Sequence, residues 1–257
     1  MSRHSVKSAE RVFRILEDFA RTREPARLSD LARRLGHPVS SVNALLKCMV
    51  DLGYMEFDDT SHRYYPAARV AHLGSWLNCQ DYEQTAVLEA MYLLRETVGE
   101  SVVLATTNDI YLEYVETLHG HGGIKILRGT RRLLVQSGTG RLFLARSSIA
   151  DAISVYLRTI ELGELEQAEF SEADLLHRLA EHRKMDISFL RARELLRPTA
   201  HWDAAMMSTI IPSPPGHRPL ALGVHGLAES LAEKRDKIAD LFGSIVKSLG
   251  GAHASSD

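Results

Sequence analysis

The 257-residue chain reads as an α+β protein in two parts, on three observations. Up to Val50, apolar residues recur at steps of three and four, the spacing that gives a helix one buried face. Met55–Asp58 and His62–Tyr65 flank the polar trio Asp59-Thr60-Ser61, which predicts a small hairpin. From Ser101 onward, β-rich runs alternate with helical patterns, which predicts an antiparallel sheet with helices packed beside it.

Composition narrows the class. With 45% hydrophobic and 25% charged residues the chain is that of an ordinary globular protein, and no run approaches the ~18 apolar residues of a membrane span. Met1 to Ala9 is polar and lacks the apolar segment of a secretory signal, so a cytoplasmic protein with no membrane partner is expected. Cys48 and Cys79 fall in helical patterns without a paired spacing and read as reduced, small apolar residues. The net charge of -2 is unevenly spread: residues 1–50 carry +5 and the remainder -7. A basic N-terminal segment on an acidic body is expected when one module meets phosphate; a solvated helix surface is the plainer alternative.

In order, Ser8 is a candidate cap for a first helix whose apolar face is Val12, Ile15, Leu16 and Phe19, ending at Pro25. Ser29 is a candidate cap for a second, with Leu31, Ala32 and Leu35 inward, and Gly36 supplies the turn. After Pro38 and Val39, a third helix from Ser40 places Val42, Leu45, Leu46, Met49 and Val50 in one stripe, stopped by Gly53. Two short helices across a glycine turn followed by a hairpin make a winged helix-turn-helix, and the third helix is the recognition candidate. Its polar residues Ser40, Ser41, Asn43 and Lys47 suit base edges and phosphates, Asn by a bidentate bond to adenine and Lys as a point charge. Ser29, and Arg63 on the hairpin, complete the candidate contacts to double-stranded DNA.

Ala67 to Gly99 reads as two helices joined near Asn78 to Tyr82, with Val70, Leu73, Leu77, Val87, Met91 and Leu94 at helical steps. Beyond it, Val102–Thr107 and Tyr111–Val115 form a hairpin around Asn108-Asp109-Ile110. Ile124–Leu127 is expected as a strand, and Gly140–Ser147, Ala150–Ile160 and Glu172–Lys184 as helices. Ala205–Ile211 and Leu220–His225 are strands across the loop from Pro212 to Gly216, and a last helix runs from about Glu229 to Leu249 before a frayed tail.

Several stretches together resemble the IclR family of bacterial transcriptional regulators: SAERVFRILEDFA, the helix-turn-helix, the Gly-Tyr after it, and YYPAARVAHLGSWL. The resemblance implies a winged helix-turn-helix over 1–66, a linker helix over 67–82 that helps hold a dimer, a GAF-like effector-binding and oligomerisation domain over 83–251, and a disordered tail at 252–257. A dimer or tetramer on operator DNA is implied, because two-fold symmetry lets two recognition helices meet successive major grooves. The family's recognition helix tends to start with a basic residue, Ser-Thr, a hydrophobic residue and an Arg two places on. Here Val39, Ser40-Ser41, Val42 and Ala44 keep the hydroxyls and lose both cations.

The segment GTRRLLVQSGTGRLFLA, residues 129–145, resembles the family's Pro-Leu and Thr-Ala-x-Gly-Lys run, which opens a helix facing a small-molecule pocket. Leu133 replaces the Pro, Ser137-Gly138 the Thr-Ala, Gly140 is kept and Arg141 replaces the Lys. Ser137, Gly138, Thr139 and Gly140 before a helix present backbone N–H groups suited to a carboxylate, although a glycine-rich turn with no ligand is the alternative. The other pocket walls implied are AAMMSTIIP, with Met206 and Ser208, and ALGVHG, where Gly223 and His225 stand in place of serines. The ligand expected is a small organic acid or an aromatic compound.

No cofactor, metal or catalytic constellation is expected. His119 and His121 lack a carboxylate or Cys in register for zinc. Glu113 and Glu116, three apart on a strand, point to opposite faces and read as solvent charges. No Ser, Cys or Lys has a recognisable base beside it. Two functions remain open: a regulator whose C-terminal domain senses a metabolite, or the same fold with that domain serving only oligomerisation or protein contact, as the altered Leu133, Gly223 and His225 would suit.

Overall fold

The structure is a computed structural model that describes residues 6–73, 85–121, 125–195, 203–213 and 218–254. The chain divides into two compact units, residues 1–80 and 81–257, each with its own core.

In the first unit, α1 (Lys7–Thr22), α2 (Leu28–Leu35) and α3 (Val39–Asp51) precede an antiparallel hairpin of β1 (Met55–Asp58) and β2 (Arg63–Pro66). The helical stripes meet: Ile15 and Phe19 of α1, Leu31 and Ala32 of α2, and Val42, Leu46 and Met49 of α3 are buried with Met55 and Tyr64 of the hairpin. Ala26 forms a bridge to Tyr64, adding a third short rung to the wing. Gly36 ends α2 at φ 65, in the left-handed region that glycine enters without a Cβ clash.

The helix ends differ from the sequence expectation. Val6, not Ser8, precedes α1. That helix stops at left-handed Arg23, whose N–H bonds the Phe19 carbonyl, two residues before Pro25. Ser29 lies inside α2, capped at Arg27, so it satisfies no helix-end donor. α3 begins one residue early, at Val39 after Pro38. His62 belongs to the turn at φ 52, and the second strand starts at Arg63. Cys48 is exposed on α3 and is not a packed apolar residue. Of the expected linker helix, residues 68–73 are helical; 74–84, with Cys79 and the expected junction, lie outside the described residues.

What locks α2 against α1 is a charge that periodicity could not disclose. Asp18 of α1 is only 5% exposed and accepts from Arg34 of α2 at 2.9 Å (Nε) and 2.6 Å (Nη2), and from Arg21 at 2.5 Å. Burial alone would raise its pKa; the bonds and charges of Arg34 and Arg21 outweigh that and hold it below the ordinary carboxylate value.

The second unit runs α4 (Thr85–Val98), β3 (Ser101–Asn108), β4 (Tyr111–Leu118), β5 (Arg131–Leu133), α5 (Gly138–Arg146), α6 (Ile149–Glu161), α7 (Glu172–His182) and β6 (Ile187–Arg191). A 3-10 turn at Ala192–Glu194, β7 (Ala204–Ile211), β8 (Leu220–Leu227), α8 (Ala228–Glu233) and α9 (Arg235–Ala254) complete it. The six strands form one antiparallel sheet in the order β5-β4-β3-β8-β7-β6. Because strand side chains alternate faces, each strand feeds two cores. Val102, Leu104, Met207, Leu222 and Val224 pack with α4, α8 and α9. Val103, Ala105, Leu112, Tyr114 and Ala221 pack with α5, α6 and α7 on the opposite face.

The second unit departs from the sequence expectation in three places. Residues 125–127 are not a strand, and Ile124 lies outside the described residues; the short edge strands β5 and β6 take the places that alternation did not mark. The last helix divides into α8 and α9 around Lys234, and α9 continues to Ala254, past Leu249. Residues 255–257, the end of the expected tail, lie outside the described residues, as do 214–217 of the expected loop. Finally, a bulge between Leu104 and Ala105 shifts the register of β4, so Glu113 faces Thr106 and Glu116 faces Leu104. Leu104 and Thr106 share a face, so the two glutamates do too, and both are ion-paired, to Arg131 and Arg128.

Candidate nucleic-acid interface and effector site

On α3 the apolar stripe is turned inward, which leaves Ser40, Ala44, Lys47 and Cys48 exposed, with Asn43 half-buried at the edge of this row. Ser40 and Lys47 are two turns apart and therefore share a face. Among the described residues Lys47 has no ion-pair partner, so its ammonium is available to a phosphate. Ser41 is different: its hydroxyl accepts from Arg11 Nη1 of α1 at 2.8 Å, which anchors the start of α3 and holds a second cation beside it. Sequence reasoning missed Arg11 because the contact joins positions thirty residues apart. Ser29 is exposed on α2, and Arg63 donates to the Pro25 carbonyl at 3.0 Å, tying the wing to the α1–α2 connection. The structure thus groups Ser40, Asn43 and Lys47 on one helix, with Ser41 turned to α1.

The basic balance of this segment is partly internal. Arg14 pairs with Glu10, Arg33 with Asp30, and Arg21 and Arg34 with Asp18. The field that reaches a ligand is weaker than the residue count alone suggests.

In the second unit a cavity of about 350 Å³ opens on the α5 side of the sheet. Ser137, Gly138 and Thr139 at the start of α5, Met206 and Ser208 of β7, and His225 of β8 line it, six of the eight residues expected there. Their convergence follows from register. Met206 pairs with His225 and Ser208 with Gly223, so these positions share one face of the sheet, and α5 packs over that face.

Ser137 caps α5, its Oγ accepting the Gly140 N–H at 2.9 Å, while the Arg141 N–H goes to the Ser137 carbonyl at 2.9 Å. The N–H groups of Gly138 and Thr139, also in the first turn, have no intrahelical acceptor. Gly140 does not line the cavity: a Cβ there would overlap the Leu134 carbonyl, so the residue serves close packing, and its N–H is already used by the cap. Gly223 also sits behind the wall. Its missing side chain is replaced by Met206, whose Cε occupies the space a Cβ would need. Arg141, within α5, is buried and does not line the cavity; its Nε donates to the Val135 carbonyl at 3.0 Å, and burial lowers its pKa to about 10.

A polar chain crosses the cavity floor. Thr139 Oγ1 donates to Ser208 Oγ at 2.8 Å, both about 1% exposed. Tyr114 OH lies 3.6 Å from Met206 Sδ and 3.2 Å from His225 Nε2. Burial pushes the Tyr114 phenol up to about 12, against the opposing pull of Arg132. Burial also draws His225 down to about 3, and the Arg132 charge acts in the same direction. Both are therefore neutral at pH 7, offering hydrogen bonds without charge. Tyr114 and Arg132 were not legible as site residues, since β4 and β5 meet the cavity through the register Leu112↔Arg132 and not through a motif. Among the described residues, no three His, Cys, Asp or Glu side chains gather as a metal site would require.

The chain joins a three-helix winged helix-turn-helix domain to an α+β domain whose six-stranded sheet is hollowed beside a capped helix. The IclR helix-turn-helix domain matches residues 8–59. Solved structures with the same fold include an IclR family transcriptional regulator from Brucella abortus, 20% identical, TM-score 0.69, covering 98% of this chain and 94% of that one. The Thermotoga maritima IclR is 17% identical, with TM-score 0.65 and coverage of 95% and 99%. An IclR homolog from Microbacterium hydrocarbonoxydans, complexed with 4-hydroxybenzoate, is 19% identical, with TM-score 0.61 and coverage of 94% and 99%. A sequence comparison with curated proteins gave no match. Residues 8–59 thus carry an IclR helix-turn-helix domain by that match, and the chain has the fold of these solved regulators along its length. Among the described residues no helix is long and apolar enough to cross a membrane.

Proposed function

We propose that the chain binds operator DNA as a homodimer or tetramer in the cytoplasm through α3 and the wing, and that its second unit senses a small organic acid or aromatic compound. Ser40, Asn43 and Lys47 read the major groove or its phosphates, with Ser29, Ser41 and Arg63 as flanking contacts. The observation that carries the sensing half is the 350 Å³ cavity in which the first turn of α5, Ser208, Tyr114 and His225 converge. Its size falls at the small end of ligand pockets, and hydrogen-bonding groups amid apolar walls are what orient a small ligand. The 4-hydroxybenzoate held by the Microbacterium homolog supports the same class of ligand. Ser137, Gly138 and Thr139 offer the helix N-terminus, Met206 the apolar wall, Ser208 and His225 neutral hydrogen bonds, and Gly140 and Gly223 the close packing behind them.

A ligand changes operator affinity only if it binds the DNA-competent and incompetent arrangements unequally. The segment 67–82 joins the units and is the proposed coupling element. Operators are to be selected from random DNA with the full-length chain, and small organic acids and phenols then screened by thermal shift and by their effect on operator binding. A compound that both stabilises the chain and alters operator affinity is the expected result. Operator binding indifferent to every compound, with no thermal shift, refutes sensing and leaves the second unit as an oligomerisation module.

A further inference from the structure

We infer that Arg132 selects the charge class of the effector: the cavity takes an oxyanion at Arg132, with Tyr114 and His225 bonding a neutral group of the same ligand. This rests on the cavity being the effector site.

Lys125, Arg132 and Arg191 are three cationic residues of the lining, and among the described lining residues there is no aspartate or glutamate. Arg191 is compensated by Asp203, 3.7 Å away. Arg132 is not. It neighbours Arg131, but alternation along β5 puts the two on opposite faces: Arg131 reaches Glu113, while Arg132 shares the cavity face with Leu112 and Tyr114. Among the described residues Arg132 has no ion pair, and its Nη1 donates to a carbonyl, that of Arg131, at 3.0 Å.

A half-buried guanidinium has lost part of its hydration, and a carbonyl neutralises none of its charge, so an anion that restores both is favoured. The charge is felt along the same face of the sheet, where it bears on Tyr114 of the neighbouring strand β4 and on His225 of β8. Those two groups, with Thr139 and Ser208, are neutral hydrogen-bonding partners, so they reward a hydroxyl, carbonyl or amide. The planar guanidinium also suits a carboxylate, which accepts two parallel N–H bonds, better than it suits a spherical anion.

The test titrates the full-length protein calorimetrically with small aromatic and aliphatic monocarboxylates, 4-hydroxybenzoate included, each beside its uncharged primary amide. The acids should bind and the matched amides should bind at least tenfold more weakly. Arg132→Met should reduce acid affinity by about 10- to 100-fold, the worth of a charge-assisted bond pair, with little change for any amide that binds. Arg132→Lys should recover part of the loss, which a purely structural role would not produce, because the charge returns without the fork. Acids that bind equally well to Arg132→Met, or amides that bind as tightly as acids, overturn the selection by Arg132 and leave effector binding standing. Absence of binding by every acid and amide overturns effector binding itself, and the selection with it.

Discussion

Replacing Asp18 by Asn should loosen the DNA-binding unit while leaving the second unit intact. Asn has the same shape but no negative charge, so Arg34 loses a fork of two charge-assisted bonds and Arg21 loses one. The Arg21 side chain is largely exposed, so its pair contributes under about 0.5 kcal/mol. The Arg34 fork ends on a carboxylate that is nearly buried, and contributes about 2 to 3 kcal/mol, below the 3 to 5 kcal/mol typical of fully buried pairs because Arg34 keeps some solvent contact. Slowly exchanging amides of α1 and α2 should therefore lose protection by about 30- to 150-fold in hydrogen exchange of the full-length chain, with the β3–β8 amides as an internal reference. The pH dependence supplies a second arm. The folded pKa of Asp18 is depressed, so its stabilisation is present above the ordinary carboxylate pKa and is lost as pH falls through the folded value. Wild type and Asp18→Asn should accordingly converge at acid pH. A loss of protection under threefold at pH 7, or a gap that persists at acid pH, refutes the assignment of Asp18 as the lock between α1 and α2.

Three further outcomes are expected. Lys47→Ala should weaken operator binding for all sequences and lower the salt slope by about 1, whereas Asn43→Ala should change which bases are preferred; selection and salt titration that leave both unchanged would displace α3 as the reading helix. His225 is held at about 3 against an ordinary 6.5, so the unfolded chain binds the extra proton between these values and stability falls as pH drops below about 6.5. At pH 5 that contribution reaches at most about 2 kcal/mol, and His225→Gln should lose less thermal stability than wild type between pH 7 and 5; parallel curves would show that the imidazole is not kept neutral by its site. Gly223→Ala should drive the end of Met206 aside by about 1 to 2 Å, with Val103 closing the other side, so the side chain moves toward the cavity. Because Met is flexible, stability should fall by only about 1 kcal/mol while ligand affinity falls more, and an unchanged titration would show that Met206 does not shape the space.

Much of the first unit was legible because its signals are local. Apolar steps of three and four placed Ile15, Leu31, Val42 and Leu46 in the core, and a polar trio between β-prone runs placed the hairpin within a residue. Helix ends were less legible: Ser8 and Ser29 have capping chemistry, but Val6 and Arg27 occupy those positions, since packing of the helix body sets where the first turn can start. In the second unit the long central strands were readable by β-propensity. The edge strands β5 and β6 were not, being short and, in β5, rich in arginine. The bulge in β4 reversed the expected relation of Glu113 and Glu116, because one extra residue changes which face every later side chain takes.

By itself the sequence determined the three helices and the wing, the residue types on the α3 face, the glycine-rich start of α5 and the two late strands that flank the cavity. Tertiary structure decided what each of these faces. Asp18 finds Arg34 across sixteen residues, and Ser41 finds Arg11 across thirty. Strand register brings Tyr114 and Arg132 to the cavity and withdraws Gly140 and Gly223 behind its wall. The physical reason is range: periodicity and capping act within a few turns of one element, whereas charge pairing and cavity shape depend on which elements the register sets side by side.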